Sequence, residues 1–153
     1  VSDIIIKNID FYSCNLTGSF FSGCNFENCT FAECYLDGSF FTKTNFKNVT
    51  FEKCFARGLV VRRIEETSIW ENVKFLDTNI TSAFFQEIVL KGPLEIVRCT
   101  AHFAQFFKFE KRDGAKIYVR EGSFYGALFE DYETDCHTPG EAKTIISSPP
   151  PQP

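Results

Sequence analysis

Seven cysteines and two histidines are the residues of this 153-residue chain best equipped for metal or nucleophilic chemistry. Cys99 and His102 stand in a Cys-x-x-His spacing, and Cys136-His137 follow downstream. Together they would hold zinc only if the C-terminal stretch folded back, and the spacing matches no common zinc module. Cys14, Cys34 and Cys54 recur at a fixed offset of twenty, which in a stacked structure places them in one column. Parallel side chains one strand apart hold their Cβ atoms slightly too far apart for a disulfide. Free buried thiols acting as small hydrophobes are therefore expected. Neither histidine is paired by sequence with a serine or cysteine nucleophile. Nor does a glycine-rich phosphate cradle occur. The expectation is a protein that is not an enzyme and carries no metal or cofactor.

Four Asn-x-Thr sequons, at Asn15, Asn28, Asn48 and Asn79, would at face value suggest secretion. They lie in a region whose repeat itself favours Asn and Thr, so they arise as a by-product. Asn28 and Asn48 would also crowd two glycans one repeat layer apart.

What positions all these residues is a period of five. From Ile6 a large apolar residue returns at Phe11, Leu16, Phe21, Phe26, Phe31, Leu36, Phe41, Phe46 and Phe51, ending at Ala56. Two residues before each stands a smaller or modest one, among them Cys14, Cys24, Cys29, Cys34 and Cys54. Period five fits neither a 3.6-residue helix nor a period-two strand, and a short period sustained over fifty residues is the mark of a solenoid. Stacking at an offset of twenty sets Glu27 on Lys47, Glu33 on Lys53 and Asp37 on Arg57. An offset of fifteen would set Glu27 on Thr42 and Asp37 on Glu52. Facing opposite charges favour the first, so the charges mark a four-sided coil.

The five-residue rule, as in Cys24-Asn25-Phe26-Glu27-Asn28, resembles that of the pentapeptide-repeat family. The resemblance implies an all-β fold, a right-handed four-sided β-helix with the Leu/Phe and the small residue two before it pointing inward. Phe11, Phe31 and Phe51 would then form an inner ladder beside the Cys14, Cys34 and Cys54 column. The β-helix is expected over residues 1–131, with a loop at about 59–67, an irregular stretch at 91–98 and a Pro-rich extended tail at 132–153. The repeat resumes one register off, through Ser68/Trp70, Val73/Phe75, Thr78/Ile80, Ala83/Phe85 and Ile88/Leu90. Over residues 107–120, Phe107 and Phe109 alternate with charges. Asp113-Gly114 is a tight-turn pair, and Ile117 and Val119 alternate on the way back, so an inserted β-hairpin is expected there.

Nineteen phenylalanines suit a solenoid interior, and a net charge of −4 with mixed signs favours no nucleic-acid partner. No apolar run is long enough to span a membrane. The chain begins at Val1 and has no methionine, which reads as a processed protein or an excised piece. Inward cysteines left reduced point to an intracellular or organellar home, for example the chloroplast lumen, rather than to secretion.

In the family this pattern resembles, the position just before each inward residue points outward, and here it holds Phe20, Tyr35, Phe40, Phe55 and Phe84. Exposed contiguous aromatics on a rigid surface mark a contact site, unless part of the same chain covers them. The leading expectation is a non-catalytic protein–protein interaction module. It would be an accessory or scaffold subunit that docks a protein partner through these faces and the tail, or a homodimer. The runner-up comes from the resemblance: some family members mimic DNA and bind gyrase. Lys7, Lys43, Lys47, Lys53 and Arg57 interrupt the negative surface such mimicry needs.

Overall fold

The computed structural model describes residues 4–64 and 66–130. The expected tail at 132–153, with Cys136 and His137, lies outside the described residues. The first strands are β1 (Ile5–Lys7), β2 (Asp10–Tyr12), β3 (Phe20–Ser22), β4 (Asn25–Ala32), β5 (Phe40–Thr42), β6 (Asn45–Glu52) and β7 (Val60–Arg62). They continue as β8 (Ser68–Leu76), β9 (Phe84–Gln86), β10 (Ile88–Leu90), β11 (Leu94–Thr100), β12 (Gln105–Phe107), β13 (Glu110–Lys111), β14 (Ile117–Ser123) and β15 (Leu128–Glu130). Every pairing is parallel, and the described residues contain no helix.

The chain winds as a four-sided β-helix. On the first face β1, the start of β4 and β6, β8, β10 and β13 stack in order. The second face carries β2, the ends of β4, β6 and β8, then β11 and β14. The third is held by single bridges running Asn15, Tyr35, Phe55, Asn79, Thr100. On the fourth, β3, β5, β7, β9, β12 and β15 form a six-stranded sheet.

Corners explain the residues between the apolar ones. Most turn through a residue with left-handed φ, a conformation that Asn, Asp and Gly tolerate best. Asn8, Asn28, Asn48 and Asn72 turn the first corner at φ 55–57°. Their side chains then bond up the column, each Nδ2 donating to the Oδ1 below at 2.9–3.1 Å. Two of these, Asn28 and Asn48, belong to sequons. The repeat's asparagines thus set the corner conformation and join successive coils.

Inside, Phe11, Phe31, Phe51 and Phe75 stack at centroid distances of 4.7–4.9 Å. Phe26, Phe46 and Trp70 form the adjoining column. The resumed pairs from Ser68/Trp70 to Ile88/Leu90 are all buried. In the small-residue column each side chain donates to a carbonyl one coil back. Cys34 reaches Phe11 at 3.3 Å, Cys54 reaches Phe31 at 3.1 Å, Thr78 reaches Phe51 at 3.2 Å and Cys99 reaches Phe75 at 3.2 Å. The next rung is Gly122, where a Cβ would lie 2.3 Å from the Cys99 carbonyl oxygen.

The interruptions are narrower than expected. Leu59 and Val61 are buried rungs, so the loop leaves after β7. The 91–98 stretch is mostly β11. The expected hairpin is absent: β13 pairs parallel with β10, and β14 pairs parallel with β11. A pentad's two inward residues sit at i and i+2, the same alternation a hairpin strand shows, so Ile117 and Val119 read correctly as a strand and wrongly as its return arm. Asp113-Gly114 is a tight turn, both at positive φ, bulging from a corner. Pairing of Phe46 with Trp70, of Phe75 with Ile96 and of Ile96 with Val119 locates each surplus at a corner bordering the first face.

Candidate interaction surface

On the fourth face the outward column runs Phe20, Phe40, Val60, Phe84, Gln105, Leu128 by strand register. Phe20 is 51% exposed and stacks on the half-buried Phe40 at 5.2 Å. Val60 then separates Phe40 from Phe84. Phe84 instead meets Phe107 edge-on at 5.5 Å. On the third face Tyr35 and Phe55 stack at 5.5 Å, with 48% and 45% of each exposed. The corner glycines Gly18, Gly38 and Gly58 lie between these two faces.

Electrostatics fix the second pair. The Arg57 guanidinium lies over the Phe55 ring at 5.9 Å and holds both Asp37 carboxylate oxygens, the closer at 2.7 Å. This hydrogen bonding keeps the Asp37 carboxyl below the usual carboxylate range. The result is a flat aromatic pair with a pinned cation at its edge. Along the first face Lys7, Glu27, Lys47 and Glu71 alternate in sign, with Lys7–Glu27 and Lys47–Glu71 each at 3.9 Å.

The cysteine column faces inward. Cys34 and Cys54 are buried and Cys14, in the first coil, is partly covered, all as free thiols. Burial pushes the Cys54 thiol up to about 11 and the Cys99 thiol to about 12. Cys99 and His102 are not brought together as ligands: Cys99 points into the core, while His102 Nε2 lies 2.6 Å from Ser123 Oγ. That Ser–His contact joins neighbouring coils, which no local motif could reveal. Among the described residues no hydrogen bond orients Nδ1, and no three-residue metal cluster occurs.

A second aromatic group escaped the sequence reading. Phe103, 56% exposed, meets Tyr125 edge-on at 5.6 Å, and Leu128 is 52% exposed on the same coil as Tyr125. The available signal was positional. Phe103 occupies the corner slot that Gly18, Gly38 and Gly58 fill in earlier coils.

The family model for the pentapeptide repeat region matches residues 4–85. No curated protein matches the chain. Among solved structures, a trypsin-treated QnrB1, described as a plasmid-mediated fluoroquinolone resistance protein, is similar at 18% identity. That alignment covers 84% of this chain and 73% of that one, with a TM-score of 0.23. A second trypsin-treated QnrB1 gives 17% identity over 82% and 79%, with a TM-score of 0.21. Full-length QnrB1 gives 13% over 93% and 100%, with a TM-score of 0.20. Similarities at this level carry no functional argument.

Proposed function

The chain belongs to the pentapeptide-repeat family, and on that premise we propose that it is a non-catalytic protein–protein interaction module. It serves as an accessory or scaffold subunit and docks a protein partner on its third and fourth faces. One observation carries this reading: two stacked, half-exposed aromatic pairs stand on the solenoid, Phe20–Phe40 on paired strands and Tyr35–Phe55 on a parallel β-bridge. Rigid aromatics give contact area with little side-chain entropy to lose, which is why they dominate binding hot spots. The Arg57 guanidinium, already held by Asp37, adds a positioned donor group at the rim.

The competing reading is a DNA mimic that binds a topoisomerase such as gyrase. The alternating Lys7, Glu27, Lys47, Glu71 column argues against it, because neighbouring opposite charges cancel the potential that steers such a complex.

The test is size-exclusion chromatography of gently lysed source material with mass-spectrometric identification of co-eluting proteins, repeated with Phe40→Ala and Phe55→Ala chains. Co-elution that survives high salt and is lost in both variants supports the module. A complex that dissolves steeply with salt and ignores both substitutions favours the mimic. Elution as a lone chain in both conditions removes the accessory-subunit reading.

A further inference from the structure

The Phe103 ledge is built at a conformational cost that the fold does not need. Phe103 sits at φ 59°, in a corner slot where other coils place Gly18, Gly38, Gly58, Ser82 and Gly126. A bulky residue there is strained, and this one returns little burial. The next corner is arranged around it. A Cβ on Gly126 would lie 2.5 Å from the Phe103 ring, so only glycine leaves the ring its seat. Edge-on contact with Tyr125 then makes an exposed, angled aromatic ledge. On the neighbouring face Leu128 pairs in register with Gln105, and Phe107 stands two residues along the strand from Gln105.

Angled aromatic ledges are what extended proline segments dock against. A polyproline helix is already ordered, so little entropy is lost on binding, and its rings pack on aromatic side chains. This chain carries such a segment in Pro149-Pro150-Pro151-Gln152-Pro153, with the Pro-x-x-Pro spacing at Pro150 and Pro153. The last described strand, β15, ends at Glu130 on the fourth face, in the coil that bears Tyr125 and Leu128. From there residues 131–148 could span at most about 60 Å, and a flexible tether of that length averages roughly 20–25 Å end to end. Both comfortably cover a ledge in the same coil. We propose that residues 149–153 dock as an extended proline helix on the Phe103–Tyr125 ledge of their own chain. Tethering holds the segment at a millimolar effective concentration, enough to occupy a site of only millimolar intrinsic affinity. The docked strap covers the C-terminal end of the third and fourth faces and leaves Phe20–Phe40 and Tyr35–Phe55 open. The inference is therefore independent of whether those pairs bind a partner.

The test uses amide NMR on the full chain, with a synthetic peptide of residues 145–153 as probe. Replacing Pro150 and Pro153 by alanine should shift the amides of Phe103, Tyr125 and Leu128 while leaving Asn28 and Asn48 unmoved. In Phe103→Gly the corner keeps its left-handed φ without the strain of a bulky side chain, so the fold should hold, yet amides of residues 145–148 should gain fast-timescale motion. Added peptide should bind the tail-substituted chain at least about twofold more tightly than wild type, because the tethered copy competes. The proposal fails if Phe103→Gly leaves the tail amides unchanged, or if peptide affinity is equal in the two chains. It also fails, as an intramolecular contact, if the ledge shifts depend on protein concentration, which would assign the strap to a second copy.

Discussion

Replacing Phe31 by alanine tests the inner ladder where it is most complete. Phe31 is 1% exposed, stacks on Phe11 at 4.7 Å and Phe51 at 4.9 Å, and meets Phe26 edge-on at 5.6 Å. Buried Phe-to-Ala changes cost about 3–5 kcal/mol, and each aromatic contact adds roughly 0.5–1.5 kcal/mol beyond area. With a neighbour on both ring faces, Phe31→Ala belongs at the upper end, about 4–5 kcal/mol. Phe11 supplies the comparison. It heads the same column, stacks on one side only and is only partly buried, so Phe11→Ala should cost about half as much, roughly 2 kcal/mol. The assay is urea unfolding followed by Trp70 fluorescence and circular dichroism. Trp70 is the single tryptophan, fully buried in the coil that also holds Phe75. A solenoid can unfold in pieces, so agreement of the two signals is required before free energies are read. An equal cost for the two substitutions, or less than about 2 kcal/mol for Phe31→Ala, would refute the ladder reasoning.

Other substitutions probe separate links. Gly122→Ala drives a Cβ to 2.3 Å from the Cys99 carbonyl at a φ of 97°. A loss above about 3 kcal/mol in the same urea assay is expected, and a neutral result would mean that β14 does not stack on β11 in this register. Asp37 has its carboxyl lowered by hydrogen bonding from Arg57. Its contribution is therefore present above the ordinary carboxylate value of about 3.9 and is lost as pH falls through the lower folded value. Being surface-exposed, the pair is worth about 1 kcal/mol at most. Wild type should exceed Asp37→Asn by up to that amount near neutrality and converge with it in acid, and divergence in acid would contradict the assignment. Thiol labelling of the native chain at about pH 8 should modify Cys14 well before Cys54 and Cys99. Burial keeps those two protonated, near 11 and 12. Equal labelling of all three would place the column on the outside.

Much of this architecture was legible because the solenoid repeats a purely local rule. The inward alternation of Phe21, Phe26 and Phe31, and the charges Asp37 and Arg57, follow from sequence offset alone. What failed was the segment after Phe107. Ile117 and Val119 obey the rule of a pentad and of a hairpin strand equally, and only the coil beneath them, β11, decides between the two. The surface was legible in part for a related reason. Phe20, Phe40, Tyr35 and Phe55 occupy outward slots countable from the repeat. Phe103 occupies a slot whose meaning is conformational, and His102 meets Ser123 only through coil stacking.

The confinement of surplus residues to corners beside the first face gives this fold something like a reading frame. Axial height depends on coil number, at roughly 4.8 Å per coil, and not on residue number. Residues gained or lost at the corner after Arg62 alter contour length and leave Phe41 stacked under Val61 and Val61 under Phe85. A single residue removed within β6 or β9 would instead rotate every following side chain by one position, carrying inward phenylalanines to the outside and outward ones into the core. Length variation should therefore collect at those corners among related chains, while the third and fourth faces keep an invariant count. A peptide grafted at 63–67 would be an in-frame insertion, displayed on one side of the rod without disturbing the aromatic pairs on the others.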